Sequence, residues 1–176
     1  MRRIRYREGD VFAVPVRDGW AQALIARVAP LGVPPLVYAF GDWAPSIDEL
    51  PQLETLTASE AIFRGLIGDA ELKAGIWPIR GRHPSFDRKD WPVPTFLNTA
   101  AKPYKVQEYT DDLERIRPWR DLRPDEDSTH MLRDRYQPAM TIALEVETYL
   151  AAKERGKPYR PNGTYPFEEE DVKPRA

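Results

Sequence analysis

The chain has 176 residues, of which 41% are apolar and 31% charged; its net charge is −2 and it contains no cysteine. This length predicts one domain with a genuine core, and the missing cysteines exclude disulfides, thiol catalysis and cysteine-based zinc sites. No segment approaches the roughly eighteen apolar residues of a membrane span, and the basic start MRRIRYREGD lacks the apolar stretch of a secretory signal. We therefore expect a cytoplasmic protein without membrane contact.

The first two predicted elements form a β-hairpin. Residues 10–16 (DVFAVPV) predict a strand in which Phe12 and its alternate neighbours share one face. Pro15 cannot donate to a sheet ladder, so it predicts an edge or a bulge at that point. Asp-Gly at 18–19 is a strong turn signal, and we expect residues 20–28 to form the antiparallel partner strand.

Further short strands follow, with turn signals about every ten residues. The candidates are residues 36–42, 61–67, 75–79, 95–98 and 104–109. A short helical turn is expected near Ser46, before Pro51. The pattern predicts a strongly curved, mainly antiparallel sheet or a small barrel within residues 1–110.

The last third predicts helices. Residues 127–135 offer Asp or Ser as an N-cap for a short helix, and a longer helix runs from Pro138 to Gly156. Its apolar stripe consists of Ala139, Ile142, Ala143, Val146, Tyr149 and Leu150, with Glu145, Glu147, Lys153 and Glu154 mostly off it. The fold class is therefore α+β: one domain over 1–156 (mainly β over 1–110, helical over 127–156), then an extended or disordered tail over 157–176.

Patterns for catalysis or metal binding are sparse. The two histidines, His83 and His130, are 47 residues apart, and none of the four serines lies in a GxSxG elbow. Neither a GxxxxGK[ST] nor a GxGxxG loop is present. An acid–base enzyme stays open as an alternative, although 28 acidic residues produce some carboxylate pairs by chance.

Residues 75–94, GIWPIRGRHPSFDRKDWPVP, raise the question of nucleic-acid binding. A small β-barrel carrying these arginines near Trp77, Phe86 and Trp91 would stack bases and neutralise phosphates of a single strand. Two aspartates interrupt the basic run, and the overall charge is slightly negative. Tryptophan more often anchors a core or a loop, and we favour that interpretation over the nucleic-acid module.

Two stretches resemble the immunity protein 26 family. Residues 9–28 resemble its opening, a G-D-x-F-A-x-P strand followed by a turn and a second strand, and residues 72–96 resemble its second signature, built around glycine and tryptophan-proline. The resemblance covers about residues 5–100. The matched positions are Gly9, Asp10, Phe12, Pro15, Lys73, Gly75, Trp77, Pro78, Gly81, Pro94 and Phe96.

The resemblance implies an antitoxin of bacterial polymorphic-toxin and contact-dependent competition systems. Such a protein binds a cognate toxin domain in the cytoplasm, and the resemblance implies no catalysis and no cofactor. The charge balance adds the expectation of no nucleic-acid partner. The matched glycines suit turns, the aromatic residues suit a core, and the prolines suit fixed chain directions. We interpret the matched positions as residues that build the fold.

Acidic residues concentrate in the back of the chain, where residues 108–176 carry −4 against +2 for residues 1–107. Toxin domains that attack nucleic acid present basic active sites, which an acidic patch would attract and occlude. The candidate toxin-binding residues are Asp111, Asp112, Glu114, Asp125, Glu126 and Asp127. For each of them a solvated loop is the simpler alternative.

Overall fold

A five-stranded antiparallel sheet dominates the computed structural model, which describes residues 5–29, 33–98, 104–123, 125–126, 131–133, 137–159 and 161. Its strands are β1 (Asp10–Val16), β2 (Gly19–Arg27), β3 (Leu36–Phe40), β4 (Ala61–Leu66) and β5 (Ile79–Arg82). Their order across the sheet is β4-β3-β2-β1-β5. The second motif of the sequence thus returns to pair with the first.

A smaller sheet and two helices complete the described elements. The sheet contains β6 (Phe96–Asn98), β7 (Lys105–Gln107), β8 (Arg120–Asp121) and β9 (Leu132–Arg133), in the order β8-β7-β6-β9. The helices are α1 (Ala70–Ala74) and α2 (Thr141–Glu154), and short 3-10 turns cover Ile47–Glu49, Leu53–Thr55 and Arg88–Asp90. The α+β class is confirmed, and the sheets of the described residues are open rather than closed into a barrel.

The predicted hairpin is confirmed. β1 and β2 pair from Val16 opposite Gly19 through Val11 opposite Leu24, around a turn in which Arg17 has φ 50°. On its other side β1 pairs with β5 only through residues 10–12. A β-bulge interrupts this pairing between Val11 and Phe12, and not at Pro15. Exposed Pro15 therefore lies beyond the end of β5, where no ladder partner needs its missing N–H.

Both faces of the hairpin are buried. One face packs against α2 and Trp77 through Phe12, Val14, Val16, Ala23, Ile25, Ile142 and Val146. The opposite face packs beneath Trp91 and the smaller sheet through Val11, Leu24, Ala26, Tyr38, Phe40, Phe96 and Tyr109. The alternation predicted for residues 10–16 is correct. Both alternating sets of side chains are buried, one in each of the two cores, so neither face of the strand is open to solvent.

The long helix is confirmed, with one correction. Ile142 and Val146 are fully buried against the sheet, as the apolar stripe predicts. Glu145, expected mostly off that stripe, is only 1% exposed, and it accepts a 2.6 Å hydrogen bond from the Tyr159 hydroxyl. Burial and the adjacent carboxylate raise the pKa of Tyr159. Among the described residues, no helix combines the length and apolarity needed to cross a bilayer.

Two predicted elements are wrong. Residues 75–79 do not form one strand: Gly75 (φ 75°) ends α1, the N–H of Ile76 returns to the Glu71 carbonyl at 2.9 Å, and β5 starts only at Ile79. The left-handed geometry favours glycine, so this glycine ends a helix rather than opening a strand. In the predicted helix over 127–135, residues 132–133 instead form β9, parallel to β6. Residues 127–130, 134–136 and 162–176 lie outside the described part of the chain.

The close contact between Gly41 and the Tyr149 ring leads to a testable prediction. A Cβ on Gly41 would lie 2.9 Å from Cζ of the Tyr149 ring and closer still to two other ring atoms. Gly41→Ala should therefore destabilise the protein by about 1–3 kcal/mol, because this ring would have to move. In a Tyr149→Ala background the same change should cost almost nothing. Urea unfolding of the four proteins in this double-mutant cycle measures the coupling, and additive effects would contradict the packing argument.

Candidate partner-binding surface

The tryptophans of residues 75–94 lie in the core. Trp77 stacks on Phe12 with ring centroids 5.6 Å apart and planes 8° apart. Trp91 meets Tyr38 and His83 edge to face at 5.3 and 5.7 Å, and both tryptophan side chains are buried. Neither ring presents a face on which a base can stack. The interpretation of these tryptophans as core residues is confirmed.

The two family-like motifs meet along one strand pair. The N–H of Ala13 donates to the Pro78 carbonyl at 2.9 Å, and the N–H of His83 donates to the Gly9 carbonyl at 2.8 Å. Gly9 has φ 83°, and a Cβ there would lie 2.8 Å from Cγ of Phe86. A side chain at position 9 would therefore be both strained and obstructed.

The other motif residues are also placed within the scaffold. Asp10 is buried and accepts the N–H of Arg7 at 2.9 Å. Gly81 has φ 150° and pairs with Val11, while Phe96 is buried edge to face with Tyr109. Pro78 and Pro94 are half-buried, and Pro15 is exposed. Most of the motif residues therefore build the scaffold and contribute little exposed surface.

The loop after β7 carries the first three candidate acidic residues. It folds back on itself because Leu113 (φ 61°) is inserted into the core, and the N–H of Thr110 donates to the Glu114 carbonyl at 2.8 Å. The N–H of Ile116 donates to the Glu108 carbonyl at 3.0 Å, which closes the base of the loop. Asp111, Asp112 and Glu114 consequently point outward from a loop that is anchored at its centre.

Asp111 and Asp112 belong to an ion-pair network, the Arg88 network, which consists of Glu8, Arg27, Arg88, Asp111 and Asp112. Arg88 donates two 2.7 Å hydrogen bonds to Glu8 and approaches Asp111 and Asp112 at 3.0 and 2.8 Å. Arg27, only 1% exposed at the end of β2, pairs with Asp111 and also donates to its backbone carbonyl at 3.0 Å. The hydrogen bond from Arg27 lowers the pKa of Asp111.

Glu126 belongs to a second network, the Arg120 network, which consists of Glu108, Arg120, Arg123 and Glu126. Arg120 holds Glu126 in a two-pronged pair, with both N–O distances at 2.6 Å. Hydrogen bonds from Arg120 lower the pKa of Glu126 from 4.5 to about 2. The network ties β8 to the chain that follows it.

Glu114 and Asp125 are the two described candidate acidic residues that belong to neither network. Both are exposed, and neither forms an ion pair within the described part of the chain. Asp127 lies outside the described residues. The structure therefore brings Asp111 and Asp112 together, holds Glu126 in a separate network, and leaves Glu114 and Asp125 as the free carboxylates.

The same loop exposes two large apolar side chains that the sequence reasoning missed. Ile116 is 44% and Trp119 38% exposed, and the Arg117 guanidinium lies 5.8 Å from the centre of the Trp119 ring. We call residues 114–119 the loop tip. Tryptophan and arginine are enriched among the few residues that carry most of the binding energy in protein interfaces. The only sequence signal was a lone Pro-Trp pair inside a highly charged segment.

Comparison with known proteins gives one match. The family model described as Immunity protein 26 matches residues 7–105, which is 99 of 176 positions and thus more than half of the chain. The match runs from the residues before β1 into the start of β7, so it contains both motifs but neither the loop tip nor α2. No curated protein and no solved structure matches.

The Arg120 network predicts a pH dependence. Because folding lowers the pKa of Glu126 from 4.5 to about 2, its contribution to stability is present above pH 4.5 and is lost as the pH falls toward 2. Glu126→Gln should cost about 1 kcal/mol at pH 7 and nearly nothing at pH 2. Urea unfolding at pH 7, 4 and 2 measures this, with Glu54→Gln as an exposed control. An equal cost at all three pH values would contradict the assignment.

Proposed function

Since the chain belongs to the immunity protein 26 family, we propose that it neutralises a bacterial toxin domain by binding it directly and covering its active site. The observation that carries the proposal is the family match over residues 7–105. The partner is then the toxin of the same competition system, met in the cytoplasm of the producing cell or its kin. This role needs a stable surface and no chemistry by the chain itself.

The loop tip is the part of the surface that we propose as the centre of the interface. Ile116 and Trp119 offer apolar area, and the inserted Leu113 together with the hydrogen bonds at the loop base hold them in place. A preordered loop loses less conformational entropy on binding than a free one. The loop also lies outside the family match, so its side chains are able to differ between members without altering the paired motifs.

The free carboxylates give the proposed interface its electrostatic character. Glu114 lies in the loop tip and Asp125 follows β8, and both are exposed without an ion pair in the described residues. Such carboxylates attract a basic active site and raise the association rate more than the affinity. Asp111, Asp112 and Glu126 add less, because arginines already neutralise them.

The alternative is a nucleic-acid-binding module, and the contacts favour it less. Trp77 and Trp91 are buried, and the guanidinium groups of Arg88 and Arg120 are engaged by carboxylates. Few of the aromatic and basic groups needed for single-strand binding are thus presented. Gel-shift titration with single-stranded DNA and RNA at two salt concentrations tests the alternative. Binding with a steep salt dependence would favour it over the immunity role.

The first test concerns the tryptophan of the loop tip. Trp119→Ala should weaken binding to the cognate toxin domain about 30-fold, because about 2 kcal/mol is lost when a central interface tryptophan is truncated. Trp43→Ala is a matched control, since Trp43 is 39% and Trp119 38% exposed. Surface plasmon resonance gives the dissociation constants, and growth of cells that express the toxin gives the protection. If the control loses as much affinity as Trp119→Ala, the interface lies elsewhere.

The second test concerns the free carboxylates. The double variant Glu114→Gln, Asp125→Asn should slow association several-fold at low salt and leave dissociation nearly unchanged, because exposed charges act mainly on encounter. The difference from the wild type should shrink at 0.5 M NaCl. Glu54→Gln provides a control with an exposed carboxylate outside the loop. An unchanged association rate at low salt would refute the electrostatic part of the proposal.

A further inference from the structure

The outer face of α2 exposes apolar side chains that the proposed interface does not use. Met140 is 73% and Leu144 52% exposed, and Met140 is the most exposed large apolar side chain among the described residues. The two lie one helical turn apart, on the side of the helix opposite Ile142 and Val146, which pack on the sheet. Covering both side chains would remove apolar area from water, which is favourable.

The chain that follows α2 turns back along the helix. Gly156, two residues after the last residue of α2, has φ 62°, the left-handed geometry that reverses a chain at a helix end. The Tyr159 ring packs edge to face on Tyr149 at 5.3 Å, and its hydroxyl donates to Glu145 at 2.6 Å. Tyr159 is thus level with the middle of the helix, and the chain runs from there toward the N-terminal end of α2.

The sequence that follows is suited to the outer face of α2. Asn-Gly at 162–163 is a strong turn signal. It comes three residues after Tyr159, and three extended residues span about 10 Å, on the order of the helical rise from the Tyr159 contacts back to the start of α2. Tyr165 and Phe167 follow at alternate positions, and residues 168–171 (EEED) are acidic. A turn at this point would carry two aromatic rings and then four carboxylates back toward the C-terminal end of the helix.

The C-terminal end of α2 offers the opposite charge. Arg155 and Lys157 are exposed, and neither forms an ion pair within the described part of the chain. The helix rises about 16 Å from Leu144 to Arg155, and an extended chain spans about the same 16 Å from Tyr165 to Glu170. A tyrosine ring placed on Leu144 would therefore bring carboxylates beside Arg155, where opposite charges attract.

We infer that residues 164–171 of this chain bind the outer face of α2. The two aromatic rings cover Met140 and Leu144, and the carboxylates lie beside the basic C-terminal end of the helix. A segment of the same chain is held close by its linker, so a small contact is enough to dock it. A stable pair of copies would need to bury more than about 1,000 Å², which two side chains do not supply. The inference does not rest on the proposed function, because the loop tip contributes no residue to this face.

The first test follows the methyl signals of Met140 and Leu144 in the full chain by NMR. The double variant Tyr165→Ala, Phe167→Ala should shift both signals, because an aromatic ring displaces the resonances of groups packed on it. The Met131 methyl group, buried in the smaller sheet, is the internal control and should not move. Unchanged Met140 and Leu144 signals would overturn the inference and leave this face to another protein.

The second test uses the lack of native cysteine, which allows one nitroxide label to be attached at Val172→Cys. The label should speed the relaxation of the Arg155 and Lys157 amide protons severalfold, and less so at high salt, which screens exposed charges. The control label, at Asp90→Cys on the other side of the sheet, should leave these amides unaffected. Equal relaxation from the two labels would overturn the inference.

A mixed sample separates the chain's own segment from a second copy. Isotope-labelled wild type is combined with nitroxide-labelled protein of natural isotope content, so that only contacts between molecules relax the observed amides. We expect the relaxation of the Arg155 amide to be lost in this mixture. Relaxation as large as in the singly labelled chain would overturn the inference, because it would assign the contact to a second copy.

Discussion

The β1–β2 hairpin buries side chains on both of its faces, and the rest of the fold has to cover each of them. On one side α2 and Trp77 supply the cover, and on the other Trp91 and the smaller sheet supply it. Burial of apolar area is the main favourable term in folding, so a strand pair that is apolar on both faces is stable only inside such layers. The long return from β4 to β5 follows from this requirement, because it brings Trp77 onto Phe12.

This constraint also decides which residues are left for a partner. The two motifs that mark the family are used in strand pairing and in the core, so they build the scaffold and contribute little to the surface. The loop after β7 contributes Leu113 to the core, and this residue anchors the loop. Arg27 extends the anchoring, because a nearly fully buried guanidinium at the end of β2 fixes the side chain and the backbone of Asp111. The result is a surface loop that is ordered before it meets any partner.

Local patterns predicted a large part of the fold. The hairpin and α2 were predictable because alternation, an Asp-Gly turn and a 3.6-residue period are properties of neighbouring residues. The strand prediction for residues 75–79 is wrong because glycine before an apolar run is compatible with a strand entry and with a helix end, and only the φ of Gly75 separates the two. The predictions for Glu145 and for residues 132–133 are wrong because the partners of these residues, Tyr159 and β6, lie elsewhere in the chain.

Patterns along the chain are enough to predict the fold class, the two family-like motifs and the region in which acidic residues gather. Which of those residues are paired depends on the three-dimensional fold: Arg27 and Arg88, 84 and 23 residues away from Asp111, form ion pairs with it, while Glu114 is exposed and has no arginine partner among the described residues. The tertiary structure also decided that Trp77 and Trp91 are buried and that Trp119 is exposed. The physical reason is that burial and ion pairing depend on three-dimensional neighbours, whereas strand and helix periodicity depends on neighbours along the chain.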